Sequence, residues 1–165
     1  MSNSLFLICP TDCLESTINQ AFKHENYFYT SLGNSFDSDR KTLNSLMELI
    51  QNHGIRNICF VLSNDNRIIL DALEGHSFSG FRGLELFYHE IMMQKRTSDI
   101  SWQTTDHQFA VLSYYLNKRI KELRLLLYNS FLDSIEIYGQ IYDRSTNAFV
   151  DIYSDLICIE KYSLN

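Results

Sequence analysis

The chain has 165 residues, 45% of them apolar and 21% charged, a balance that fits one globular domain with a real core. Its net charge of −6 leaves no surplus of lysine and arginine to displace counterions, which excludes a sequence-independent grip on nucleic acid. One proline, six glycines and no apolar run of membrane-spanning length exclude a flexible linker and a membrane segment, so residues 1–165 read as a single domain.

The first element is Ser4–Cys9, a short apolar run that reads as a buried strand ended by Pro10. Asp12 with Glu15 three residues later resembles a capping box, and Leu14, Ile18, Ala21 and Phe22 recur at helical spacing to about Lys23. Tyr27–Ser31 is aromatic and strand-favouring and runs into a turn at Leu32-Gly33-Asn34. A second helix carries Leu43, Leu46, Met47 and Ile50 on one face, with Asp37 or Ser38 to cap it and Gly54 to stop it. Ile55–Ser63 is almost continuously apolar, as a central parallel strand covered on both faces would be. Strand and helix alternate through these elements, which predicts right-handed crossovers and a parallel sheet.

In the middle of the chain, Arg67–Leu73 predicts a short helix, 74–83 a glycine-punctuated loop and 84–95 another helix. Thr105 and Gln108 offer a capping box to a long helix whose buried stripe is Leu112, Leu116, Ile120, Leu123 and Leu127. Its basic cluster, Lys118, Arg119, Lys121 and Arg124, reads as a solvated face. Ser134–Tyr142 and Phe149–Tyr153 predict two strands joined by a hairpin-like turn at 143–147. The fold class expected is therefore α/β: a three-layer sandwich around a mostly parallel sheet, with a C-terminal antiparallel hairpin at one edge.

Four cysteines (Cys9, Cys13, Cys59 and Cys158) contain no Cys-x-x-Cys pair and are too few to staple a domain of this size. The start of the chain has no positive charge and its apolar stretch is too short for a signal-peptide core. Free thiols in the reducing cytoplasm are the simplest expectation.

In an open parallel sheet, ligands bind beyond the carboxyl ends of the strands, where the connections part to opposite faces. Those ends carry Cys9-Pro10-Thr11-Asp12, then Ser31-Leu32-Gly33-Asn34, then Ser63-Asn64-Asp65-Asn66-Arg67. The candidate pocket consists of Cys9, Asp12, Gly33, Asn34, Asn64 and Arg67. Later in the chain, Gly139-Gln-Ile-Tyr142-Asp143 is followed by Phe149-Val-Asp-Ile152.

In their order and spacing these segments resemble the β-class carbonic anhydrases over nearly the whole chain. That family has Cys-x-Asp-x-Arg after its first strand, Arg-Asn-Ala-Gly-Asn after the second, Gly-His-x-x-Cys-Gly after the third, and a late Gly-x-x-Tyr-Asp hairpin. The resemblance implies a zinc ion held by the first-loop cysteine and by the histidine and cysteine of the third loop. Cys9 falls on the first of these positions, but Asn64 falls on the histidine and Arg67 on the second cysteine. An amide is a poor zinc ligand and a guanidinium is a permanent cation. Asp12 is displaced by one position from the family's pattern, Cys13 and Leu14 stand where its arginine is sought, and Thr30 replaces the arginine before the second turn.

Without zinc nothing lowers the pKa of a bound water to about 7. The expectation is thus a non-catalytic relative that acts as a binding or interaction module without a cofactor, with a small anion as one ligand. Arg67 could supply the pocket's positive charge, or could turn outward or pair with Asp65 or Asp12. The alternative is an active zinc-dependent carbonate dehydratase with relocated ligands, drawn from Cys9, Cys13 and one of His24, His76, His89 or His107. Cys13 is more simply a small buried packing residue. A second register aligns Gly75-His76-Ser77-Phe78-Ser79-Gly80 with the third-loop motif, leaving Cys9 and His76 as ligands. By the same resemblance the chain would form a homodimer. It begins almost at its first strand, so an interface without the family's N-terminal helical arm is expected.

Overall fold

The computed structural model describes residues 3–35, 39–73, 89, 92–93, 107–127 and 135–153. The described strands are β1 (Asn3–Ile8), β2 (Asn26–Thr30), β3 (Ile55–Ser63), β4 (Glu136–Asp143) and β5 (Ala148–Asp151). They form one sheet in the order β2-β1-β3-β4-β5, parallel throughout except for the antiparallel pair β4 and β5. The described helices of more than one turn are α1 (Glu15–Ala21), α2 (Arg40–His53), α3 (Arg67–Leu73) and α4 (His107–Leu127). These elements match those the sequence pattern predicts, with ends shifted by a residue or two. The expected loop at 74–83 and helix at 84–95 fall, apart from residues 89, 92 and 93, outside the described residues.

Period-two alternation in β1 sorts its side chains onto two cores. Leu5, Leu7 and Cys9 join Leu46 and Ile50 of α2, Ile68, Ile69 and Ala72 of α3, and the stripe Leu112, Leu116, Ile120, Leu123 and Leu127 of α4. Phe6 and Ile8 face the other way, onto Leu14 and Ile18 at α1, with Cys59 and Val61 of β3 and Tyr142 of β4. Helices on both faces make the three layers that the sequence predicts. Each large side chain so buried contributes roughly 1.5–3 kcal/mol, and β1 and β3, buried along most of their length, carry much of that load.

Two helix starts differ from expectation. Leu14, not Asp12, is the N-cap of α1, and it makes no side-chain cap bond; Asp12 is drawn into the interior by other partners. Asp39 caps α2, accepting from the backbone N–H groups of Lys41 at 2.7 Å and Thr42 at 2.9 Å; residues 37 and 38 lie outside the described residues. At the start of α4, Gln108 donates through Nε2 to the Asn64 carbonyl. Thr105 is outside the described residues.

The basic cluster on α4 is only partly a wet face. Lys121 is exposed, but Arg119 pairs with Glu122 at 2.8 Å and lies over the Tyr115 ring. Arg124 donates through Nη2 to the Ile137 carbonyl of β4 at 2.6 Å. That carbonyl lies beyond the last rung of the β4–β5 ladder, where Ile152 N–H meets the Gly139 carbonyl. Among the described residues no helix is long and apolar enough to cross a membrane.

The ends of α2 offer a direct measure of local control. Gly54 adopts φ 57° with open space around its α-carbon, and its N–H closes the helix on the Ile50 carbonyl. We expect Gly54→Ala to cost about 1–2 kcal/mol through left-handed strain and Asp39→Ala about 1 kcal/mol through the lost cap. Urea unfolding of the two single variants and the double variant should show the two losses adding.

Candidate functional site

The chain leaves β1 toward β2 on one side and returns from β2 to β3 on the other, so the connections diverge at the carboxyl ends of β1 and β3. Cys9 follows β1 directly and its side chain is fully buried. Gly33, from the turn after β2, donates its N–H to Cys9 Sγ at 3.2 Å, and Thr11 places its hydroxyl 3.0 Å from the same sulfur. Gly33 can do this because its φ of 60° turns the N–H inward. The turn is fixed from behind as well. Tyr115 of α4 donates its hydroxyl to the Gly33 carbonyl at 2.6 Å, and Asn34 donates through Nδ2 to the Val61 carbonyl of β3 at 2.8 Å.

Asp12 sits beside this corner with 2% exposure. Its Oδ2 accepts the Ser63 N–H at 2.9 Å and its Oδ1 accepts Asn66 Nδ2 at 2.7 Å, so β1's loop is bonded directly to β3's. Asn66 also turns its Oδ1 to the Ile69 N–H at 3.0 Å, which caps α3, and its Nδ2 lies 3.4 Å from Thr11 Oγ1. Burial is the largest influence on the Asp12 carboxyl and pushes it from 3.8 up to about 6, against the opposing pull of the Ser63 and Asn66 bonds. Asn66 was not singled out from the sequence, although an Asn immediately before a predicted helix is the pattern of an N-cap.

Asn64 and Arg67 do not join Cys9. Asn64 faces the β4–β5 turn, donating to Asp143 Oδ1 at 2.9 Å and accepting the Arg144 N–H at 3.3 Å. It lines a cavity of about 310 Å³ with Gln108, Phe109, Asp143 and Tyr153, on the hairpin side. Arg67, the first residue of α3, is exposed. The guanidinium at the corner is that of Arg144, whose Nη2 donates to the Asp12 carbonyl at 2.5 Å and whose Nε meets Asp65 at 2.7 Å. Burial alone would raise the Asp65 carboxyl, but bonds from Ser63 and Arg144 hold it below the usual carboxylate range.

Cys13 is exposed rather than buried as expected, because its backbone turns left-handed (φ 52°) at the end of the 10–12 turn and its thiol points to the Pro10 carbonyl. Among the described residues, no three His, Cys, Asp or Glu side chains converge as a metal would require. His76 lies outside them, and of His107 only the backbone is described.

The Asp12 pair yields a titration with a definite sign. A carboxyl whose folded pKa is raised favours folding most below pH 3.8, and that contribution is lost as pH rises through about 6; the span is on the order of 3 kcal/mol. Carbon-detected NMR of the Asp12 carboxyl should give a midpoint near 6. In Asn66→Ala the midpoint should rise further, since a donor to the ionised form is gone, and stability at neutral pH should fall by roughly 2–4 kcal/mol.

No protein-family model matches the chain, and no curated protein matches it by sequence. Its structure, however, is similar to solved ones. The β-carbonic anhydrase CafD of Aspergillus fumigatus aligns with a TM-score of 0.71 at 19% identity, over 93% of this chain and 90% of its own. A β-carbonic anhydrase from Sordaria macrospora, one of two described as tetrameric, aligns at 0.71 and 13% identity, over 93% and 81%. That of Coccomyxa, in complex with acetazolamide, aligns at 0.69 and 12% identity, over 97% and 76%. The order β2-β1-β3-β4-β5, the antiparallel last strand and these alignments agree: the chain has the β-carbonic anhydrase fold.

Proposed function

We propose that this protein is a non-catalytic bearer of the carbonic anhydrase fold, acting by binding rather than by hydrating carbon dioxide. The observation that supports this is the set of donors around Cys9. One thiol faces a backbone N–H and a threonine hydroxyl, and the carboxylate of the following turn, Asp12, already accepts two N–H groups. Zinc takes thiolate, imidazole and carboxylate, and these residues do not fit it. A hydroxyl is a weak donor to zinc, and the Ser63 and Asn66 N–H groups already occupy both Asp12 oxygens.

A small anion is the ligand class we retain for this reading, because Arg67 stands exposed at the rim of the strand-end loops. Self-association belongs to the same proposal, on the strength of the tetrameric assembly described for the Sordaria enzymes.

Protein purified without chelator should contain far less than one zinc per chain and should leave the rate of carbon dioxide hydration at its buffer value. Near-stoichiometric zinc together with hydration activity would establish the enzyme with relocated ligands instead. Chelator should leave the melting temperature unchanged. Calorimetry with bicarbonate should give binding that Arg67→Ala abolishes, and light scattering should give a mass above the 19.4 kDa of one chain.

A further inference from the structure

The turn between β4 and β5 is remote in sequence from the strand-end loops, yet it is fastened to two of them. Arg144 reaches the Asp12 carbonyl across 132 positions of chain at 2.5 Å, and its Nε bonds Asp65 at 2.7 Å. Its own N–H meets Asn64 Oδ1, and Asn64 answers through Nδ2 to Asp143. The turn is rigid in itself: Asp143 Oδ1 accepts the N–H and hydroxyl of Ser145, and Oδ2 accepts the hydroxyl of Thr146. A planar guanidinium suits this task, since it can bond a carbonyl and a carboxylate in fixed and different directions.

The carbonyl that Arg144 holds belongs to the same three-residue turn, Pro10–Asp12, whose Thr11 hydroxyl meets Cys9 Sγ. That turn is anchored on its inner side, where the buried Asp12 carboxyl accepts from Ser63 and Asn66, and is held on its outer side through the Asp12 carbonyl. Its start has no side-chain cap bond and it ends at Cys13 in left-handed backbone. Pro10, Thr11 and Cys13 are exposed, whereas Cys9 beneath them has no exposure at all.

We propose that Arg144 is a strap that holds the Pro10–Asp12 turn closed over the Cys9 thiol, so that loss of its two side-chain bonds opens that thiol to solvent. The strap is a positioning device and does not depend on whether the protein is catalytic.

Thiol labelling tests it. In a chain carrying Cys13→Ser and Cys158→Ser, the two remaining thiols are Cys9 and Cys59. Cys59 is packed on the opposite face of the sheet, against Phe6 and Val61, and reports loss of the whole fold. With an aromatic disulfide reagent, Arg144→Ala should raise the Cys9 rate about five- to tenfold, as expected for partly exposed charge-assisted bonds, and leave Cys59 protected. An unchanged Cys9 rate would overturn the proposal. Should Arg144→Ala label Cys59 as fast as Cys9, the fold itself has gone and Asp65→Asn decides, because it takes the charge from the ion pair and leaves an oxygen to accept from Ser63. Faster Cys9 labelling with Cys59 protected then supports the strap, and Cys9 labelling at the parent rate refutes it.

Discussion

The carboxyl group of Asp12 is the point from which the polar end of this molecule hangs. It is nearly without exposure, so each of its oxygens must find a donor or cost several kcal/mol. The donors are the Ser63 N–H at the end of β3 and the amide of Asn66, which in turn caps α3. One side chain thus bonds the exit of the first strand to the exit of the third and to the helix that follows. The turn after β2 is tied to the same corner through Gly33 and Cys9, and from behind by Tyr115 of α4. Three loops that share no sequence neighbourhood become one unit.

Much of the architecture was legible because apolar periodicity specifies it. Ile55–Ser63 could be little else than a central strand, and the stripe from Leu112 to Leu127 reappears as the buried side of α4. The site was legible only in part. Cys9, Asp12 and Gly33 lie together, since each is placed by the end of a well-marked strand. Asn64 and Arg67 were placed by counting along a loop, and the count does not say which way a side chain turns. Asn64 faces the hairpin, and Asn66, two residues on, takes the inward place. Arg144 left no trace in the pattern at all, because a bond spanning 132 positions is set by tertiary geometry that no local period encodes.

Sheet and site answer to different physics. A strand core accepts many apolar substitutions so long as volume and alternation are kept, which is how the fold can be shared with distant proteins. A polar corner depends on the identity of each donor and acceptor, and exchanging one thiol or imidazole for an amide changes what the corner can hold. Fold and chemistry can therefore part company, and at the exits of β1 and β3 the side chains of Asp12, Ser63, Asp65 and Asn66 bond largely within their own cluster.

The β4–β5 ladder covers only half of β4. Among the described residues no strand pairs with the first half of β4 on that side, and unpaired strand margins invite other chains to add themselves. Arg124 reaches down from α4 to occupy the Ile137 carbonyl there. A guanidinium there satisfies that acceptor, so α4 completes chemically an edge that β5 covers only in part.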